Sequence, residues 1–147
     1  MATQVHEVFI RSTPQKVWEA MTRGELTQKC YFGTSVASTW RPGDPIVYSS
    51  AEAGPMVEGR VVEVEPSKRL VHTWVVRYDP SLSDEESRVS YLLEPRGEAV
   101  KLTVRHDLGN APKTARALET DSWSIVLSSM KTLLETGKPL VLPERAG

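Results

Sequence analysis

At 147 residues, with 18 basic and 19 acidic side chains and a formal net charge of −1, the chain fits one domain and carries no field that would gather nucleic acid or anionic lipid. Its one cysteine, Cys30, excludes a disulfide within the chain and the cysteine pairs of common zinc sites. No run approaches the ~20 apolar residues that span a bilayer, and the start at Met1 lacks the basic and apolar stretches of a signal peptide, so a reduced, cytoplasmic protein without membrane insertion is expected.

Val5–Ile10 is apolar on both alternations and predicts a well-covered strand. Ser12-Thr13-Pro14 then reads as a helix start, with Thr13 as cap and Pro14 in the first turn. Val17, Trp18 and Met21 form the apolar stripe of that helix, Gly24 ends it, and Glu25–Cys30 predicts a second short helix. From Gly33 to Leu108 the period is two, giving strands over Thr34–Trp40, Ile46–Ser50, Met56–Glu65, Leu70–Tyr78, Arg88–Leu93 and Val100–Leu108. Arg41-Pro42-Gly43-Asp44 has proline and glycine where a type II turn needs them. The other prolines of this region, Pro45, Pro55, Pro66, Pro80 and Pro95, fall at strand starts or in connections. Asp79–Ser87, rich in acidic residues and serine, predicts a mobile, solvated loop.

The period returns to 3.6 after Pro112. Trp123, Val126, Leu127, Met130, Leu133 and Leu134 share one face, which predicts a single helix over Lys113–Thr136, about 35 Å long. Gly137 caps it and Pro139 stops it. Residues 1–138 are therefore expected to form one domain, with 139–147 as a partly disordered tail.

The order β-α-α-β6-α points to an α+β protein, a seven-stranded antiparallel sheet with its helices on one face. Only a curved sheet can bury that face against one long helix. Alternation puts Leu102, Val104 and His106 on a common face, beside Val89, Tyr91 and Leu93, and gives His72, Trp74 and Val76 a face of their own. A sheet grasping a helix leaves a wedge-shaped gap, suited to a hydrophobic small molecule, lipid-like or aromatic. Trp40, Tyr48, His72, Trp74, Tyr91, His106, Trp123, Leu127 and Met130 are the candidate ligand-binding residues.

The chemistry-bearing residues form no known catalytic or metal pattern. His6, His72 and His106 are far apart in sequence and no H-x-x-x-H spacing exists, so no metal site is expected. Gly33-Thr34-Ser35-Val36-Ala37 has a helix before it and a strand after it, the reverse of a nucleophile elbow. Asp79, Asp84, Glu85 and Glu86 lack calcium-loop spacing, and no glycine-rich phosphate motif is present, so no cofactor is expected. Cys30 reads as a half-buried structural residue despite adjacent Lys29. An enzyme of the cyclase or hydrolase type remains the alternative to a binding domain, with His72, His106, Tyr91 or Arg105 moving a proton.

The run Val8–Thr22, the run Gly59–Trp74, the run Leu102–His106, and Trp123 followed by Leu127 and Leu133-Leu134 together resemble the SRPBCC superfamily of START-like and birch-pollen-allergen-like proteins. Within it they are most similar to bacterial homologues of the chaperone-ATPase activator's C-terminal domain, over roughly Val5 to Gly137. The resemblance implies the helix-grip fold with a ligand cavity between sheet and last helix. It also implies a family of carriers, polyketide cyclases and a co-chaperone rather than one activity. A chaperone partner and a homodimer through an exposed sheet edge both stay open.

Overall fold

The computed structural model describes residues 3–118 and 121–141. Seven strands, β1 (Thr3–Ile10), β2 (Thr34–Ser38), β3 (Pro45–Ser50), β4 (Gly54–Glu65), β5 (Arg69–Val76), β6 (Ser87–Arg96) and β7 (Ala99–Asp107), form one sheet in the order β1-β7-β6-β5-β4-β3-β2. Every pairing is antiparallel. Four helices accompany it: α1 (Pro14–Thr22), α2 (Gly24–Cys30), α3 (Pro112–Ala117) and α4 (Ser122–Thr136). This is the α+β helix-grip arrangement that the sequence pattern predicts. No helix among the described residues is long and apolar enough to cross a membrane.

The signals that start and stop elements act as their chemistry requires. Thr13 accepts from Lys16 N at the head of α1, with Pro14 in the first turn. Gly43 takes φ 92 and Asp44 N donates to Arg41 O at 2.9 Å, completing the type II turn. Gly137 closes α4 in the left-handed region, its N–H donating to Leu133 O.

Curvature comes from interruptions in the ladders. The register shifts between Tyr48 and Ser49 and again between Val61 and Glu63, and each extra residue bends and twists its strand. Between these points Gly59 lies so close to β5 that a Cβ would stand 1.9 Å from Thr73 O. Only glycine permits that approach. The concave face then buries Val89, Tyr91, Leu93, Val100, Leu102, Val104, Leu70, His72 and Val76 against Trp123, Val126, Leu127, Met130 and Leu133 of α4. At one end α2 is tied to β2 through buried Thr27, whose hydroxyl donates to Thr34 O and accepts from Val36 N, both at 3.0 Å. At the other, Lys131 donates to Phe9 O and Glu135 accepts from Arg11 N, which occupies the free edge of β1 near its end.

Two expectations are corrected. The single helix over Lys113–Thr136 is two helices, and α4, with 15 residues, is about 22 Å long. Thr114 is buried in α3 and Trp123 in α4. In one straight helix nine residues advance about 900°, which sets those two side chains on opposite faces. The break lets Leu118 join Leu108 and Ala111 in a satellite cluster while Trp123 enters the main core. The second correction concerns Asp79–Ser87, which is not a solvated loop throughout. A 3-10 turn at Pro80–Leu82 buries Leu82, and the buried Glu85 carboxylate accepts from Thr114 N at 2.8 Å, Lys113 N at 3.3 Å and Thr114 Oγ1 at 3.1 Å. Burial works to raise this carboxyl, but the donors at the head of α3 outweigh it and the net shift is downward. Of the expected C-terminal tail, residues 142–147 lie outside the described residues.

Candidate functional site

A half-open cavity of about 290 Å³ lies where the sheet's curvature opens against the N-terminal end of α4. Tyr31, Phe32 and Thr34 from the α2–β2 turn form one side and Tyr48, Met56, Val57 and Trp74 from β3 to β5 form the floor. Leu118, Ser122, Trp123 and Val126 close the helix side, and Tyr78 stands beyond the end of β5. No charged side chain is among these described residues. Phe32 and Tyr78 are 63% and 49% exposed and stand at the rim. Phe32 also holds a left-handed backbone, φ 53, which a bulky residue rarely adopts.

Four of the wall rings touch in a closed circuit. Tyr31 stacks on Tyr48 with centroids 5.4 Å apart, Tyr48 meets Trp74 at 5.7 Å, Trp74 meets Trp123 at 5.6 Å, and Trp123 returns to Tyr31 edge-on at 6.4 Å. Behind this circuit lies a polar layer. Trp123 Nε1 donates to His106 Nδ1 at 3.1 Å; because an indole nitrogen only donates, His106 must be the tautomer protonated at Nε2. That Nε2 lies 2.7 Å from Ser87 Oγ, and the Ser87 hydroxyl donates onward to Trp74 O at 3.3 Å. His72 Nδ1 donates to Thr73 O at 2.8 Å, which leaves Nε2 to accept a long, 3.5 Å bond from the Tyr48 hydroxyl. Tyr31 donates to Tyr91 at 3.2 Å. Trp74 Nε1 is the exception: it is buried and has no partner among the described residues.

Burial sets the protonation of this layer. Desolvation takes His72 down to about 4, against a smaller opposing effect of its bond to Thr73, and takes His106 down to about 3, helped by repulsion from His72. Both are neutral imidazoles at neutral pH. Burial holds the phenols of Tyr31, Tyr48 and Tyr91 well above their ordinary value, so each remains a hydroxyl. Cys30 is pushed up to about 11 by burial and is no nucleophile. No group of three or more metal-ligating side chains occurs among the described residues.

Of the nine candidate residues, Tyr48, Trp74 and Trp123 line the cavity. His72, Tyr91 and His106 are fully buried behind the wall, and Leu127 and Met130 are core residues further along α4. Trp40 packs against the core from outside the sheet, since β2 ends at Ser38 and Trp40 turns away with φ 58. Sequence reasoning did not find Tyr31, Phe32, Met56, Tyr78, Leu118 or Val126 as wall residues. Tyr31 and Phe32 lie just past the predicted helix Glu25–Cys30, in a connection with no periodicity to place them, and the break before α4 re-aims both Leu118 and Ser122. Arg105, offered for proton transfer, is exposed, on the face of β7 opposite its buried neighbours Val104 and His106.

The curved sheet, gripped helix and intervening cavity define a helix-grip domain of the START-like class. Residues 11–135 match the family described as "Activator of Hsp90 ATPase homolog 1-like protein", and the chain belongs to that family, within the SRPBCC superfamily. No curated protein matches the chain. Among solved structures it is similar to protein MLL2253 from Mesorhizobium loti, with 25% identity over 93% of this chain and 99% of that one at a TM-score of 0.77. It is also similar to the Aha1 dimer from Colwellia psychrerythraea, at 21% identity, 94% and 99% coverage and TM-score 0.71. CalU16 from Micromonospora echinospora follows at 17% identity, 94% and 76% coverage and TM-score 0.71.

Proposed function

We propose that the chain is a binding domain for a hydrophobic small molecule, held in the cavity between β3–β5 and the head of α4. The observation that carries this is a half-open space of about 290 Å³ whose described lining is almost wholly aromatic and aliphatic. Tyr48, Trp74 and Trp123 contact the ligand; His72, Tyr91 and His106 hold the wall from behind. Acid–base catalysis finds less support, because the histidines lie outside the lining and their ring nitrogens face partners. The test is titration with prodan, a neutral two-ring naphthalene dye that brightens and shifts its emission in apolar surroundings. Saturable binding of one dye per chain is expected, and Val126→Trp or Val57→Phe, each filling the space, should abolish it in protein that still melts cooperatively. Dye affinity indifferent to both substitutions would refute the site.

A protein partner is a second reading. The family's description names a chaperone ATPase activator, and Val5, Phe9 and Leu92 are exposed on the outward face of β1 and β6. Phe9→Ser with Leu92→Ser should then weaken self-association, or stimulation of a chaperone ATPase, while leaving dye binding intact. If neither association nor stimulation is measurable in the unsubstituted protein, this second reading falls.

A further inference from the structure

The wall narrows the ligand to one chemical class. Its four-ring circuit presents broad π-surface, and the two rim residues are aromatic as well. Such surfaces gain most from a flat aromatic guest, through offset or edge-on ring contacts that an alkyl chain cannot make. Adjacent ring centres stand only 5.4–5.7 Å apart on three sides of the circuit, so the rings pack on one another instead of standing around an enclosed centre. A cation cage needs its ring faces turned toward the ion, within ~6 Å of each centroid.

Charge and size close the argument. No described lining residue is ionisable except tyrosine, so neither an anionic nor a cationic head inside would meet a counter-charge among the described residues. The phenols that could have bonded a head group turn inward, Tyr31 to Tyr91 and Tyr48 to His72. An ion brought there is stripped of water without replacement. A dry cavity of roughly 150 Å³ takes one benzene. A cavity of about 290 Å³ therefore has room for two fused rings, with any further substituent projecting past Phe32 and Tyr78.

We infer that the cavity selects an uncharged, planar aromatic molecule of two fused rings and rejects carboxylates, ammonium ions and fatty acids of comparable size. This rests on the cavity being the binding site and names what that site prefers. The test displaces prodan at pH 7.5 with four probes: 2-acetylnaphthalene, 2-naphthoate, 2-naphthylmethylammonium and laurate. The neutral ketone should displace the dye saturably, and each ion should be at least ~100-fold weaker, the order expected for an unpaired charge entering an apolar site. Phe32→Ser with Tyr78→Ser, at the exposed rim, should weaken the ketone several-fold without lowering the melting temperature. If laurate, 2-naphthoate or the ammonium competes as well as the ketone, the proposed class is overturned while the cavity remains the site. If dye binds and none of the four displaces it, the class is likewise overturned. If dye itself fails to bind, the binding reading of the cavity falls with it.

Discussion

Trp74 and Trp123 offer a matched test of the polar layer behind the wall. Replacing either by phenylalanine removes the same atoms, including one buried N–H. The two N–H groups differ in one respect: Trp123 Nε1 is bonded to His106 Nδ1 at 3.1 Å, and Trp74 Nε1 has no acceptor among the described residues. A buried polar group without a partner costs about 1–3 kcal/mol. Trp74→Phe removes such a group and recovers that cost, offsetting part of the lost ring contact. Trp123→Phe creates one, at His106 Nδ1. The two variants should therefore differ by roughly 2–6 kcal/mol, with Trp123→Phe the less stable, on the order of 10 °C in melting temperature for a chain of this size. Trp123 also loses slightly more buried ring, so the cleaner figure comes from a cycle with His106→Leu. In that background Trp123 Nε1 has already lost its acceptor, and Trp123→Phe should be cheaper by at least ~1 kcal/mol. Urea unfolding of the parent chain, the three single variants and the Trp123→Phe/His106→Leu double variant measures both quantities. Equal costs for the two tryptophans, with no coupling to His106, would refute the proposed arrangement of the layer.

The other expectations follow from single contacts. His72 and His106 bind protons in the unfolded chain near 6.5 but in the folded chain only near 4 and 3. Their contribution to stability is thus complete above pH 6.5 and is lost as pH falls, at about 1.4 kcal/mol per pH unit for each. From pH 6.5 to pH 5 the two together should cost about 3 kcal/mol, the slope reaching its full value only below pH 6.5. His72→Gln and His106→Gln should each flatten the urea-midpoint profile in that window, and an unchanged slope would count against buried neutral imidazoles. Gly59→Ala drives a methyl into Thr73 O and should destabilise by about 3 kcal/mol, through forced separation of β4 from β5. A cost below ~1 kcal/mol would show that the strands are not so close. Glu85→Ala should speed amide hydrogen exchange at Lys113 and Thr114, whose N–H groups donate to its carboxylate, without altering exchange in β6 and β7.

Strand periodicity carried most of the fold into the sequence. The alternation of Leu102, Val104 and His106, and of Val89, Tyr91 and Leu93, is the alternation of one concave face, because side-chain direction in a strand follows from position alone. The turn signals held for the same local reason. What stayed hidden depends on contacts between distant segments. A helical stripe from Trp123 to Leu134 cannot reveal that Thr114 and Leu118 must face another cluster, so the break before α4 was invisible. An acidic loop gives no sign that Glu85 folds under to meet the head of α3. The site was legible only in its floor. Tyr48, Trp74 and Trp123 fall on the cavity by strand and helix phase; Phe32 reaches its rim from the α2–β2 turn, where no periodicity operates, and Tyr78 from beyond β5, which ends at Val76, two residues short of the predicted strand.

That division bears on what the cavity can do. Two buried histidines, five tyrosine or tryptophan rings and a serine within one cluster would suit catalysis if their polar atoms faced the ligand. Instead the hydrogen bonds run sideways and back: Tyr31 to Tyr91, Tyr48 to His72 to Thr73 O, and Trp123 to His106 to Ser87 to Trp74 O. Each bond fixes a ring from behind, so the surface offered to a guest is stiff hydrocarbon whose shape is set before binding. Little ordering then remains to oppose association, which is how an apolar pocket with few polar contacts can still bind tightly. The same bonds tie the wall's integrity to neutral histidines, so the acid-sensitive element of the fold is also the support of the cavity. Ligand affinity of the folded chain should consequently stay level from pH 6.5 to pH 5, where the folded imidazoles remain neutral, and fall only as pH approaches 4, where His72 begins to bind a proton, even for a guest that carries no charge of its own.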